Sequence, residues 1–363
     1  MAIKKILIVS VSAGNGHTRA AAALKKAVDL FYPQIIADHV DFLDFVGPAS
    51  KKIFFETYDL LIQNMPTLYR LLYDISDKKT GSRILDKITT LNKKLNTKKF
   101  HNFIIENQPD FILFTHFIPA EIFNTFNQTI PSATVITDYE NHRLWFTGNK
   151  QKYFVAHAGI KDQLVALGAE KNNIIISGIP VDPIFYKIIT DDDKKSMREK
   201  LNITENKKII TIMPCGQGKI DPIRLTKKIL QEEDIVVIAL GGKNQNLLQE
   251  YKKIKNKKIK IISWTDEIHV YLQLADLVIT KPGGLVISEC VALNKSMLLI
   301  NPIPGQEEKN VNYITSTGLG KVLDDENLWS EVWNNIQQTI SPPKITTFPA
   351  TNTIIVEILK VVV

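Results

Sequence analysis

Apolar residues gather along this chain in short dense runs, each followed by a polar or glycine-containing break. In the first half the runs are Lys5 to Val11, Ile35 to Val40, Phe111 to Phe114, Ala133 to Thr137, Tyr153 to His157 and Ile174 to Ile176. In the second half they are Ile209 to Met213, Val236 to Leu240, Ile259 to Ile262 and Leu277 to Ile279. Unbroken runs rich in β-branched residues predict strands buried on both faces, as in a parallel sheet. Between them, Thr18 to Leu30, Ile160 to Leu167 and the stretch from Leu285 place apolar residues at helical spacing. The alternation restarts at Ile209 after the Pro-punctuated hinge Gly178-Ile179-Pro180-Val181-Asp182-Pro183. Two successive β-α arrays predict an α/β protein with two Rossmann-like domains facing one another across a cleft, 1–183 and 184–341. Residues 342–363 form a tail, with Ile354 to Val363 expected to dock as a last helix.

Two strand–glycine–helix corners stand out. The stretch Lys281-Pro282-Gly283-Gly284-Leu285-Val286-Ile287-Ser288-Glu289 follows one apolar run and opens a helix near Gly284. Its glycines allow close backbone approach, and the free N–H groups and positive dipole end of the helix make an anion site. Glu289, on the first or second turn, would reach a ribose attached to the bound phosphate. The same pattern is also a common packing corner. The second corner, Ser12-Ala13-Gly14-Asn15-Gly16-His17, lacks the Lys-Ser or Lys-Thr of a P-loop and the full dinucleotide fingerprint. His17, at the helix start, is held where its cationic form is disfavoured, so it is either a neutral base or a residue that only caps the corner.

With 363 residues, 44% hydrophobic and 23% charged, the chain has the composition of a soluble globular protein. No apolar run reaches the ~18–20 residues of a membrane span. Cys215 and Cys290 offer neither a disulfide framework nor a metal-ligand spacing, and the cytoplasm is the expected location. The net charge of +7 favours an anionic partner, and basic residues concentrate between Lys51 and Lys99. That interval also holds Phe54, Phe55, Tyr58, Tyr69 and Tyr73. It reads equally as an amphipathic surface for anionic membrane lipids or as ordinary core with a solvated face. No nucleic-acid module is apparent.

Taken in order, Gly14-Asn15-Gly16-His17, Thr137-Asp138 through Trp145, Phe154-Val155-Ala156-His157, Gly178 to Pro183, Lys281 to Glu289 and Pro304-Gly305-Gln306-Glu307 resemble a GT-B nucleotide-sugar glycosyltransferase. Within that class the chain resembles monogalactosyldiacylglycerol synthases and processive glucosyl-diacylglycerol synthases, across nearly its whole length. A cousin is the transferase that adds N-acetylglucosamine to lipid-linked muramyl peptide. The resemblance implies UDP-glucose or UDP-galactose bound by the C-terminal domain, diacylglycerol at the N-terminal one, and inversion to a β-linkage. It implies a peripheral enzyme on the inner face of the membrane. His17 matches the family's base. Gly14, Gly16, Gly216, Gln217, Gly218, Ile262, Trp264, Lys281, Pro282, Gly283, Gly284, Ser288, Glu289, Pro304, Gly305, Gln306 and Glu307 match its donor-binding positions. Asn15, Asp138, His142 and Trp145 match its acceptor side.

An inverting transfer needs a base for the acceptor proton and a counter-charge for the leaving UDP. With no metal-binding Asp-x-Asp motif recognised, no cofactor or metal is expected, and the Gly283-Gly284 amides are assigned the leaving charge. Gln306 and Glu307 match the pair that reads sugar hydroxyls. Trp264 either stacks on uracil or packs in the core. Asp138 is the rival base, with His17 then a cap. Two departures stand: Gly216-Gln217-Gly218 is shorter than the family's glycine run, and Arg143 follows His142 where relatives often carry Pro. A UDP-N-acetylglucosamine 2-epimerase, an N-acetylglucosamine transferase with a polyprenyl-linked acceptor, and a non-enzymatic sugar-nucleotide sensor are the alternatives.

Overall fold

A computed structural model describes residues 3–12, 15–47, 51, 70–71, 73–74, 77, 97–126, 129–213, 218–339 and 349–360. The chain divides into two compact units. The first comprises Met1–Pro183, Ile303–Lys309 and Thr347–Val363; the second comprises Ile184–Pro302 and Asn310–Thr346.

In the first unit the described elements are β1 (Lys5–Ser10), α1 (Asn15–Phe31), β2 (Ile36–Asp41), α2 (Thr97–Asn107), β3 (Phe111–Phe114), α3 (Phe117–Asn124), β4 (Ser132–Val135), β5 (Lys152–Val155), α4 (Ala158–Ala166) and β6 (Ile174–Ile176). The strands make one parallel sheet in the order β2-β1-β3-β4-β5-β6. Side chains alternate across a strand, so each run feeds two cores. Ile6, Ile8, Phe111 and Leu113 face a cluster with Leu24, Ala27 and Val28 of α1. Leu7, Val9, Ile112 and Phe114 face another with Phe100 and Ile104 of α2 and Ala120 and Phe123 of α3. Burial on both faces is why these strands read as continuous apolar runs.

In the second unit follow α5 (Asp191–Lys200), β7 (Lys208–Ile212), α6 (Pro222–Ile229), β8 (Ile235–Gly242), α7 (Gln245–Lys252), β9 (Ile259–Ser263), α8 (Ile268–Leu274), β10 (Leu277–Thr280), α9 (Gly284–Ala292), β11 (Met297–Leu299), α10 (Gln306–Ser316), β12 (Gly320–Val322) and α11 (Trp329–Thr339). The first turn of α10 groups with the first unit and its remainder with the second. The sheet order β12-β11-β10-β7-β8-β9 is the doubly wound Rossmann order. Its core joins Ile210, Ile212, Leu225, Ile229, Val237, Ile279 and Leu298 to the stacked indoles of Trp329 and Trp333.

The last helix, α12 (Ala350–Leu359), returns to the first unit. Ile354, Ile355 and Ile358 are buried in the α1 side of the first sheet's core, and Tyr32 donates a 2.9 Å hydrogen bond to Asn352 Oδ1. The helix begins four residues before the expected Ile354 because Ala350 and Thr351 are buried with the isoleucines. Among the described residues no helix is long and apolar enough to cross a membrane.

In each sheet, sequence order reverses between two neighbouring strands: β1 and β3 in the first unit, β7 and β10 in the second. Crevices outside the carboxyl ends of such strand pairs are where open α/β sheets take ligands. The two corners singled out from the sequence follow β1 and β10.

Candidate active site

At the first reversal point, α1 starts at Asn15, so His17 lies inside the first turn and not in a turn ahead of a helix from Thr18. The first N–H groups of a helix need no partner four residues back, so Asn15 and Gly16 can occupy that turn despite their low helix propensity. Asn15 is exposed and Gly16 is partly buried; Gly14 lies outside the described residues.

His17 Nδ1 lies 2.9 Å from the Thr115 carbonyl oxygen and 2.9 Å from Thr137 Oγ1. A carbonyl can only accept, so Nδ1 carries the proton and Nε2 keeps its lone pair. Thr115 Oγ1 donates back to the His17 carbonyl at 2.9 Å, which clamps the start of α1 to the end of β3. Burial pushes the His17 pKa down from 6.5 to about 4, with the Thr115 carbonyl opposing in part. The imidazole is therefore neutral at pH 7.

His116 meets His17 edge-on at 4.6 Å between ring centres, and the buried indole of Trp145 stands 6.0 Å from His17. His116 Nδ1 accepts the Ile118 N–H, and burial, with His17 next to it, holds its pKa well below 6.5. Thr115 and His116 were not singled out from the sequence, and Thr137 stood there only as the end of an apolar run and the start of a matching stretch, with no role of its own. The signal available was the position of Thr115 and His116 at the carboxyl end of β3, the strand beside β1.

Asp138 follows Thr137 at the carboxyl end of β4 and is buried. Gln306, the first residue of α10, donates from Nε2 to both of its carboxylate oxygens, at 3.1 and 3.2 Å. Glu307 is buried and accepts the Ile303 N–H through Oε2 at 2.9 Å. Partly buried Pro304 leads into Gly305 at φ +82°, where an added Cβ would lie 2.9 Å from the Tyr73 ring. Glycine alone suits both the left-handed backbone and that approach.

His142 commits both ring nitrogens: Nδ1 accepts the Leu144 N–H of its own loop at 3.1 Å, and Nε2 donates to the carbonyl of Tyr73, 69 residues earlier, at 3.1 Å. Burial lowers its pKa. The Arg143 N–H donates to Asp77 Oδ1 at 2.9 Å, and Lys309 Nζ donates to Asp77 Oδ2 at 2.9 Å. Proline has no N–H, so a proline at position 143 could not make this bond. Most of the basic, aromatic interval, including Phe54, Phe55, Tyr58 and Tyr69, lies outside the described residues.

In the second unit a helix opens at Gly284 after β10, as expected, but the Gly283 N–H donates to the Lys281 carbonyl at 2.9 Å and so is not free for an anion as the sequence suggested. Gly283 is the N-cap of α9, and no side chain caps the helix. Lys281 and Gly283 are partly buried, whereas Pro282 and Gly284 are buried. Buried Asn310 donates to the Pro282 carbonyl at 3.0 Å and holds the turn from behind. Ser288 Oγ donates to the Gly284 carbonyl at 2.7 Å within the helix. Glu289 is 1% exposed, on the second turn.

Across the reversal point, Gly218 approaches Asn301 so closely that an added Cβ would sit 2.3 Å from Asn301 Cγ. Asn301 has φ +50° and brackets Ile220, accepting its N–H at 2.8 Å and donating to its carbonyl at 2.7 Å. Gly216 and Gln217 lie outside the described residues, as does Cys215, while Cys290 is buried with its thiol pKa pushed up. Ile262 is partly buried on β9, and Trp264, just beyond that strand, is 59% exposed with Lys243 Nζ 4.4 Å above its ring. Its indole is not a core residue. Among the described residues no group of three or more His, Cys, Asp or Glu is arranged to hold a metal ion.

Both halves match known families. Residues 17–181 match the monogalactosyldiacylglycerol (MGDG) synthase family, and residues 217–356 match the glycosyltransferase family 28 C-terminal domain. The processive diacylglycerol beta-glucosyltransferase of Bacillus subtilis (strain 168) is 26% identical over 330 residues, covering 88% of this chain and 84% of the relative. The enzyme of that name from Staphylococcus carnosus (strain TM300) is 29% identical over 332 residues, covering 88% and 81%.

Among solved structures, the S. aureus MnaA-UDP co-structure superposes with a TM-score of 0.62 at 16% identity, over 98% of this chain and 96% of that one. Acinetobacter baumannii MurG does so with 0.57 at 12%, over 99% of each chain. At such identities these two likenesses speak for the fold alone. With the two family matches consecutive on one polypeptide, the chain belongs to the UDP-sugar glycosyltransferases of the GT-B, family 28 type, in the branch resembling monogalactosyldiacylglycerol synthase and processive diacylglycerol glucosyltransferase.

Proposed function

We propose that the chain moves a hexose from a UDP-sugar to the free hydroxyl of diacylglycerol with inversion, working as a peripheral enzyme on the cytoplasmic face of the membrane. The observation that carries the reading is His17: neutral, with Nδ1–H committed to a carbonyl and Nε2 left as a base at a ligand-binding strand reversal. In this reading the acceptor oxygen attacks the anomeric carbon and the bond to the UDP oxygen breaks. The acceptor proton goes to His17 Nε2, and UDP leaves with the bonding electrons. The uncapped N-terminus of α9 meets the diphosphate charge, so no metal is assigned to this step. Glu289 is assigned the ribose hydroxyls, Trp264 the uracil face, and Gln306 with Glu307 the sugar.

Glucose is the first sugar to test, because the relatives at 26–29% identity are named glucosyltransferases. Purified protein is to be given diacylglycerol in anionic vesicles with UDP-glucose or UDP-galactose separately, and the lipid products analysed. A β-glycosyl-diacylglycerol from one donor is expected. Donor turnover without a lipid product would replace the reading by an epimerase or hydrolase one. A product formed only with polyprenyl-linked acceptors would move it to the N-acetylglucosamine-transferase branch.

Trp264→Ala is expected to weaken UDP binding about tenfold, the order of one lost base–aromatic stack. Its thermal midpoint should stay close to that of the parent, because an exposed side chain contributes little to the core. Calorimetric UDP affinity equal to that of the parent would remove the stacking assignment.

A further inference from the structure

The pairing of Asp138 with Gln306 sets which end of the Gln306 amide the sugar meets. Gln306 Nε2 sits between the two Asp138 oxygens, at 3.1 and 3.2 Å. A carboxylate accepts and cannot donate, so the amide nitrogen must face it and Oε1 must face away. Without that partner, rotating the amide by half a turn would exchange a donor for an acceptor at the same place. Asp138 is itself buried at the end of β4, and the first turn of α10, the positive end of that helix's dipole, lies next to its charge. Gly305, in the left-handed region and tight against Tyr73, fixes where that helix starts.

We propose that Asp138 is a positioning residue that fixes Gln306 with its carbonyl toward the ligand, so that the position accepts a hydrogen bond from a sugar hydroxyl and cannot donate one. The inference rests on the assignment of Gln306 to the transferred sugar. It gives Asp138 a role distinct from both the base and an acceptor contact. Selectivity between hexose epimers then depends on a carboxylate that never touches the sugar.

Asp138→Asn, Gln306→Glu and the double variant test this. Asp138→Asn keeps the shape but lets the pair form either way round. Gln306→Glu sets two carboxylates face to face. The double variant restores one amide and one carboxylate and again turns an acceptor oxygen to the ligand. The readouts are the KM of the UDP-hexose that serves as donor, kcat, and calorimetric affinities for that UDP-hexose and for UDP.

Each single variant should raise the KM for UDP-hexose about tenfold and erode the preference of UDP-hexose over UDP, with UDP affinity unchanged. The double variant should recover most of both. Asp138→Asn indistinguishable from the parent overturns the proposal, as does a double variant no better than the worse single one. A large kcat loss in Asp138→Asn with unchanged KM and no rescue also overturns it, and marks Asp138 as the base. If the parent transfers no hexose at all, the functional reading fails separately, and the binding ratio still decides the pairing. A parent that binds UDP-hexose no better than UDP leaves Gln306 without a sugar to position and overturns it too.

Discussion

His17→Ala is expected to lower kcat by about 10²–10⁴-fold, the usual contribution of a positioned general base, with UDP affinity nearly unchanged. The separation follows from where the groups sit. His17 is anchored to Thr115 and Thr137 in the first unit, whereas the assigned nucleotide contacts lie in the second. Single-turnover rates beside calorimetric UDP binding would check it; near-normal turnover would transfer the base role to Asp138.

The parent's pH profile is a second view of the same residue. An ordinary imidazole loses its base function as pH falls through 6.5, but burial has moved that point for His17 to about 4. The acid limb of kcat/KM should therefore fall near pH 4. Stability responds in the opposite sense to that of a salt-bridged histidine. Between pH 6.5 and about 4 the unfolded chain takes up a proton at this residue and the native protein does not. Stability is thus full above 6.5 and declines as pH drops, by up to about 3 kcal/mol from this group. His39, His116 and His142, all lowered chiefly by burial, add in the same direction.

Asn301→Ala is expected to destabilise the second unit by about 2–4 kcal/mol. It strips partners from both the N–H and the carbonyl of buried Ile220, each of which costs about 1–3 kcal/mol when left unmade. It also puts alanine at φ +50°, a conformation asparagine tolerates better. Urea unfolding should show a lower midpoint with an unchanged slope. UDP affinity should fall in parallel, because the residue ties the chain after β7 to the chain after β11, on either side of β10. Reduced stability with full UDP affinity would place the nucleotide elsewhere.

Much of the fold could be read from the apolar runs, since strands such as Phe111–Phe114 and Leu277–Thr280 show as unbroken stretches, whereas the three-residue strands Met297–Leu299 and Gly320–Val322 were too short to be singled out. The corner at Gly283-Gly284 was equally legible, because strand end, glycines and helix start are consecutive in the chain. What was not legible depends on distant partners. The carbonyl that fixes the His17 tautomer is 98 residues away, the carboxylate holding Gln306 is 168 away, and Asn301 reaches 81 residues back to Ile220. No local pattern reports a backbone carbonyl. Trp264 was ambiguous for a related reason: a tryptophan after a strand serves core or surface equally well, and its exposure decides.

The return of α12 to the first unit also shapes how the protein is made. Ile354, Ile355 and Ile358 complete a core whose other residues lie before Pro183. At ribosomal speeds of about 5–20 residues per second, roughly 170 further residues take about 8–35 s to synthesise. During that interval the α1 side of the first sheet lacks its last apolar layer while the second unit is emerging. The nascent first unit is therefore the stage at which a chaperone would be needed, and a stop codon shortly before Ala350 would damage the earliest-made half of the protein first.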